Sequence, residues 1–210
     1  MTGEDEAVTA GLAHLSGQSS TLDALMARHG PYRPRRNPTP DLFAALARSI
    51  IYQQLAGKAA ATIHGRFTAL FPKGVSAPAL LAFDFETLRG AGLSKNKSTA
   101  IIDLAEHVVA GHLDVETLLT LDDAALTQAL VQVRGIGPWT AQMFMMFQLG
   151  RLDVWPTGDL GVRRGFGVLF CEGETPSARA LAPLGEPFRP YRSMLAWYCW
   201  RAADDAKGAP

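Results

Sequence analysis

Apolar residues recur along this chain at three- and four-residue intervals, and runs alternating apolar with polar at strand length are essentially absent. Leu42, Phe43, Leu46, Ile50 and Ile51 form one such stripe, which predicts a helix running to about residue 54. Thr39-Pro40-Asp41 reads as its start: a capping threonine, a proline in the first turn and a carboxylate near the positive helix end. After the break at Ala56-Gly57, a second stripe of Ala60, Ile63, Phe67 and Leu70 closes at Phe71-Pro72. Ser76 with Pro78, and then Asp84, open two short helices that stop at Gly90-Ala91-Gly92. A longer helix is expected over 94–111, its buried face made of Ile101, Ile102, Leu104, Ala105, Val108 and Val109. Others are expected over 114–119, 122–133, 138–149, roughly 160–170, and 190–203. The pattern predicts an all-α fold.

Two irregular stretches divide it. Residues 30–40 (GPYRPRRNPTP) are too rich in proline to be a helix interior, and 151–159 (RLDVWPTGD) interrupt the later helices. Within a single unit of 1–210, we therefore expect a central helical lobe over 41–152. The chain ends, 1–40 plus 153–210, would build a second lobe, with an active-site cleft between the two.

Composition narrows the classes. With 48% hydrophobic and 19% charged residues the chain is not a disordered one. No apolar run approaches the roughly 18 residues of a membrane span. The acidic start, Met1 to Ala7, lacks the basic-then-apolar order of a secretory signal, so a cytoplasmic, bacterial setting is expected. Twenty Lys and Arg balance twenty Asp and Glu, so nucleic-acid binding must be argued from local features. Two cysteines, Cys171 and Cys199, cannot hold a four-thiolate iron–sulfur cluster and are expected as buried free thiols. The five scattered histidines give no metal-ligand spacing.

Chemistry concentrates in Val133-Arg134-Gly135-Ile136-Gly137-Pro138-Trp139-Thr140-Ala141. Two glycines one residue apart, followed by a proline-initiated helix, make a tight hairpin whose exposed N–H groups suit an anion such as phosphate. A plain helix–helix connection would look the same. Leu88-Arg89-Gly90-Ala91-Gly92-Leu93 is a weaker echo. Downstream, Trp155-Pro156-Thr157-Gly158-Asp159-Leu160-Gly161 brings a carboxylate to an apparent helix start. Asp159 reads as an N-cap, and a helix N-terminus favours the anionic form needed to stabilise a developing cation.

Taken together, these segments resemble the helix-hairpin-helix DNA glycosylase superfamily, and within it the AlkA-type 3-methyladenine DNA glycosylase II branch. Ser49-Ile50-Ile51-Tyr52-Gln53-Gln54-Leu55-Ala56 is similar to a family segment, as are Gly92-Leu93-Ser94 with Lys97, and Tyr191-Arg192-Ser193 with Trp197 and Trp200. The matches run from about residue 41 to 201, and a compact version without the extra N-terminal β-rich domain of some members is expected.

The resemblance implies a monofunctional enzyme of base excision repair. It would flip alkylated bases of the 3-methyladenine and 7-methylguanine class out of double-stranded DNA and hydrolyse the N-glycosyl bond. Asp159 falls on the motif's aspartate, which stabilises the oxocarbenium-like sugar. Gly135 and Gly137, with Arg134 and Thr140 beside them, fall on the hairpin that grips phosphate. Gln53, Gln54 and Leu55 match the loop that wedges into the stack, and the match leaves open whether Gln54 or Leu55 is the wedge. Trp139 and Trp200 match base-pocket positions, to which Tyr52, Met143 and Trp197 are added. An electron-rich aromatic wall attracts a cationic alkylated purine; large aromatics at helical spacing also serve as plain core. No cofactor is implied beyond a Na+ or K+ on the carbonyls of Val131, Val133 and Ile136, and the enzyme is expected as a monomer.

Bifunctional members carry a lysine nucleophile where Trp139 stands, so strand cleavage through a Schiff base is not expected. Gly158 replaces a second acid of many relatives, and Met143 an aromatic of some. Arg33, Arg35, Arg36, Arg163 and Arg164 are candidate phosphate contacts, although Arg163, one turn from Asp159, is also placed to pair with it. Two other readings stay open: a non-catalytic DNA-binding hairpin module, and a glycosylase for a deaminated or oxidised base.

Overall fold

A computed structural model describes residues 3–33 and 41–208, apart from the side chains of residues 4, 115 and 116. Among these, thirteen α-helices and one short 3-10 turn account for the regular structure, with no strand. No helix is long and apolar enough to cross a membrane. The chain divides into two compact units, Arg36–Leu149 and a second built from Met1–Arg35 with Gly150–Pro210.

The Arg36–Leu149 unit contains α3 (Leu42–Tyr52), α4 (Gly57–Ala69), α5 (Ala77–Leu80), α6 (Phe85–Gly90), α7 (Lys95–Val109), α8 (Val115–Thr120), α9 (Asp123–Leu130) and α10 (Pro138–Phe147). Helix α7 packs against α3, α5 and α6, and α10 against α3 and α9. Leu46, Ile50, Ile51, Ile101, Leu104 and Ala105 are fully buried there. Each large aliphatic side chain so buried is worth about 1.5–3 kcal/mol. Val109, expected on the buried face of α7, is instead 54% exposed, because that stripe ends a turn earlier.

The other unit holds α1 (Gly3–Leu15), α2 (Ser20–His29), α11 (Leu160–Phe170), α12 (Ala178–Leu184) and α13 (Arg192–Asp205). Helices α11 and α13 form its centre and α2 packs on both. A Cβ on Gly165 would fall 1.8 Å from the Cys199 carbonyl oxygen, so glycine is what lets the two backbones approach.

Side-chain caps start most of these helices. Ser19, Asp41, Asp84, Ser94, Asp114, Asp122, Asp159 and Ser177 each accept a backbone N–H three residues on, about 1 kcal/mol apiece. The cap of α3 is therefore Asp41, which accepts from Ala44 N–H at 2.9 Å; the expected Thr39 and Pro40 lie outside the described residues. Helices α1, α2 and α12 went unforeseen, and α9 ends at Leu130 rather than near 133.

Candidate functional site

Asp159 ends the 151–159 stretch and caps α11. Its Oδ1 accepts the Val162 backbone N–H at 2.9 Å and the Trp200 indole N–H at 2.9 Å. Helix α13 thus delivers Trp200 to the carboxylate at the head of α11. Gly161 makes the room: a Cβ there would lie 2.7 Å from Trp200 Cδ1 and 3.1 Å from Asp159 Oδ1. Beneath them Cys199 is wholly buried, and burial, with the Asp159 charge after it, pushes its thiol far up. It is an inert core thiol. Cys171 is free and half-buried.

The chain leading to Asp159 is tied to the start of α13. Arg192 Nε donates to Asp153 Oδ1 at 2.7 Å and its Nη2 to Oδ2 at 3.0 Å, a forked pair that fixes orientation as well as distance. Ser193 Oγ donates to Arg151 O at 2.7 Å and accepts from Val154 N–H at 2.9 Å. Trp155 is buried, with its indole N–H on Leu181 O at 3.1 Å. Arg192 and Ser193 therefore act as a clamp on the aspartate's loop. Asp153 was not singled out from sequence.

Trp197 takes different neighbours from Trp200. Its ring meets Tyr32 and Tyr198 edge-on at centroid distances of 5.9 and 4.9 Å, with the Arg201 guanidinium 4.7 Å above it. Arg163 donates from Nε to Pro176 O at 2.7 Å, which engages its side chain. Arg33 and Arg164 are exposed, while Arg35 and Arg36 lie outside the described residues.

In the Arg36–Leu149 unit, Gly135 turns between α9 and α10 with φ +80°, and its missing Cβ would sit 2.9 Å from Ala100 Cβ. Both conformation and space demand glycine. Gly137 differs: its φ is −95° and nothing lies within 4 Å of a Cβ, so the fold itself does not require it. Asp103 of α7 anchors the turn by accepting Arg134 N–H at 2.7 Å. Arg134, Gly135, Gly137 and Trp139 are exposed, Val133, Ile136 and Thr140 buried, and Met143 half-buried. Trp139, in the first turn of α10, is 44% exposed. The echo at Gly92 is also a left-handed turn, between α6 and α7, with φ +99°.

The Gln53-Gln54-Leu55 segment reaches this hairpin. Gln53 Nε2 donates to Gly135 O and to Thr140 Oγ1, each at 3.0 Å. Gln54 (φ +54°) and Leu55 stay exposed at the tip. Tyr52, half-buried, carries the Arg48 guanidinium 4.3 Å from its ring centroid and meets His64 edge-on at 6.0 Å. Among the described residues no group of three or more His, Cys, Asp or Glu is arranged to hold a metal ion.

Comparison with known proteins matches residues 47–190 to the family model described as the HhH-GPD superfamily of base excision DNA repair proteins. The chain is similar to DNA-3-methyladenine glycosylase 1 of Schizosaccharomyces pombe, 32% identical over 194 residues, covering 90% of this chain and 85% of that one. The 3-methyladenine DNA glycosylase structure from that yeast, solved with abasic DNA, superposes with a TM-score of 0.82 over 91% of this chain and 95% of its own. A DNA-3-methyladenine glycosidase structure from Bacillus halodurans is 36% identical, with a TM-score of 0.83 over 94% of this chain and 91% of its own.

Proposed function

The chain belongs to the HhH-GPD superfamily of base excision DNA repair proteins, and on that premise we propose that it is a monofunctional DNA glycosylase for alkylated bases in double-stranded DNA. Its substrates are of the 3-methyladenine and 7-methylguanine class, and its product is an abasic site. Relatives named for 3-methyladenine support the substrate class.

The observation that carries the reading is the Asp159–Trp200 pair at the head of α11. N-alkylation gives a purine a positive charge, so the base leaves with the electron pair of the C1′–N bond and departs neutral. The sugar becomes an oxocarbenium cation. A carboxylate held by two N–H donors stabilises that charge without reorganising. Water then adds to C1′, and its proton passes to the carboxylate or to solvent. Trp139 stands where a Schiff-base lysine would be needed, so no strand cleavage follows.

The hairpin is the phosphate grip. Exposed N–H groups at the start of α10 favour an anion, and Gly137, which the fold leaves open, lets a backbone phosphate come close. Either Gln54 or Leu55 enters the stack in place of the everted base. Arg48 and Arg201 already lie over the rings of Tyr52 and Trp197. We therefore assign the cationic base to Trp200, the ring whose indole N–H also holds Asp159. The carbonyls of Val131, Val133 and Ile136 are the neutral oxygen donors that a Na+ or K+ takes; Val133 O accepts Ile136 N–H at 3.1 Å and keeps a second lone pair. Such an ion would add positive charge at the phosphate grip. We further take the enzyme to be a monomer working at the nucleoid of a bacterial cytoplasm, a setting that Bacillus relatives support.

The test is release of 3-methyladenine and 7-methylguanine from methylated duplex DNA by wild type and by Asp159→Asn. Release by wild type with a drop of about a hundredfold or more in the variant is expected. Equal release by both removes Asp159 from the mechanism. No release by either turns the reading to another lesion or to a binding module without chemistry.

A further inference from the structure

Lys97 lies in the first turn of α7, yet its ammonium does not face a carboxylate. Nζ donates to Ile51 O at 2.7 Å and to Gln53 O at 2.8 Å, the two carbonyls where α3 runs out. Burial holds its pKa below the ordinary lysine value, so the contact is kept against a desolvation cost. From the same turn the Gln53 side chain reaches Gly135 O and Thr140 Oγ1 of the hairpin. The backbone between α3 and the hairpin is thus tied by two side chains.

The residue directly after Gln53 is strained. Gln54 holds φ +54°, a left-handed conformation that a residue with a Cβ adopts only when its surroundings over-determine it. Leu55, next to it, is 38% exposed. A stretch that merely ended a helix would need neither a half-buried ammonium on its carbonyls nor a cross-link to a turn more than eighty residues away.

We propose that Lys97 and Gln53 form a brace that fixes the Gln54-Leu55 tip relative to the Gly135–Thr140 hairpin, making both positioning residues for base eversion. The hairpin's hold on the DNA backbone then sets where the tip meets the stack. A side chain that parts stacked bases works against a few kcal/mol per step, and a tip on a slack loop would yield instead. On this reading Gln53 Nε2 serves the brace rather than the DNA. The inference rests on the glycosylase reading only for the identity of the released base.

Lys97→Met keeps the apolar stem and removes both donors, and Gln53→Met does the same for the second link. Three quantities are measured: affinity for an undamaged duplex, fluorescence of a 2-aminopurine placed beside an abasic site as a report of eversion, and single-turnover release from methylated DNA. We expect duplex affinity to hold while the eversion signal and the release rate fall about tenfold or more, with Lys97→Arg recovering part of both. An unchanged eversion signal overturns the brace. So does affinity that weakens in step with the rate, which would make Lys97 a DNA contact. If Lys97→Met does not fold, Gln53→Met decides on the same readouts. If wild type releases no base, the glycosylase reading falls while the fluorescence still decides the brace.

Discussion

Trp200 donates its indole N–H to the Asp159 carboxylate at 2.9 Å, on the same oxygen that the Val162 amide holds at 2.9 Å. The aromatic ring assigned to the base is thereby also the part that aims the carboxylate. Trp200→Phe separates the two roles, because the ring stays and the donor goes. A hydrogen bond to a charged acceptor is worth about 1.5–3 kcal/mol, so kcat for base release should fall roughly ten- to a hundredfold with little change in substrate affinity. An unchanged kcat would mean that the Trp200 N–H does not aim Asp159.

Gly161→Ala inverts the usual helix rule. Alanine in place of a helical glycine ordinarily gains about 0.5–1 kcal/mol. At this position the new methyl lies 2.7 Å from Trp200 Cδ1 and 3.1 Å from Asp159 Oδ1, so the pair must part. We expect base release to drop as far as in Trp200→Phe while the thermal midpoint barely moves. A midpoint that collapses together with activity would show that the strain spreads into the core.

The parts of the site with a local chain signature were legible in the sequence. Gly135 must turn left-handed, Pro138 presets the first turn of α10, and Asp159 caps α11, each within a few residues of the feature it creates. The features that escaped are held by pairs distant in sequence: Arg192 on Asp153, Asp103 on Arg134 N–H, Lys97 on Ile51 and Gln53. None of those residues has a neighbour that announces its partner. Helix α1 was missed because Leu15 is its only large side chain deep in the core, and α2 because only Leu22 and Leu25 are, too few for a stripe. Ser19 ahead of Leu22 and Asp23 was the signal available for α2. The sequence pattern makes Thr39 the cap because proline at the next position fits a first turn, whereas Asp41 accepts the Ala44 N–H and caps α3.

Ser98 on α7 is fully buried, and its hydroxyl is the one buried side-chain polar atom without a hydrogen-bond partner among the described residues. An unsatisfied buried hydroxyl costs about 1–3 kcal/mol. Ser98→Ala should therefore stabilise the protein by roughly 1 kcal/mol and raise the midpoint of urea unfolding. Destabilisation would reveal a partner, such as a bound water, that the hydroxyl needs.

His64 on α4 titrates low because it is half-buried and, secondarily, because the Arg48 guanidinium repels its charged form. Folding therefore favours the neutral ring. Between the lowered folded value and the unfolded 6.5, the unfolded chain binds more protons, so stability rises with pH across that window. On acidification, His64 leaves stability intact above 6.5 and subtracts from it as pH falls below. His64→Gln keeps a polar side chain near Tyr52 and cannot gain the charge. Urea unfolding of both proteins at about pH 7 and about pH 5 should show the wild type losing more stability on acidification than the variant. Equal losses would assign the acid sensitivity to other groups and leave the Arg48–Tyr52–His64 stack without a proton-linked role.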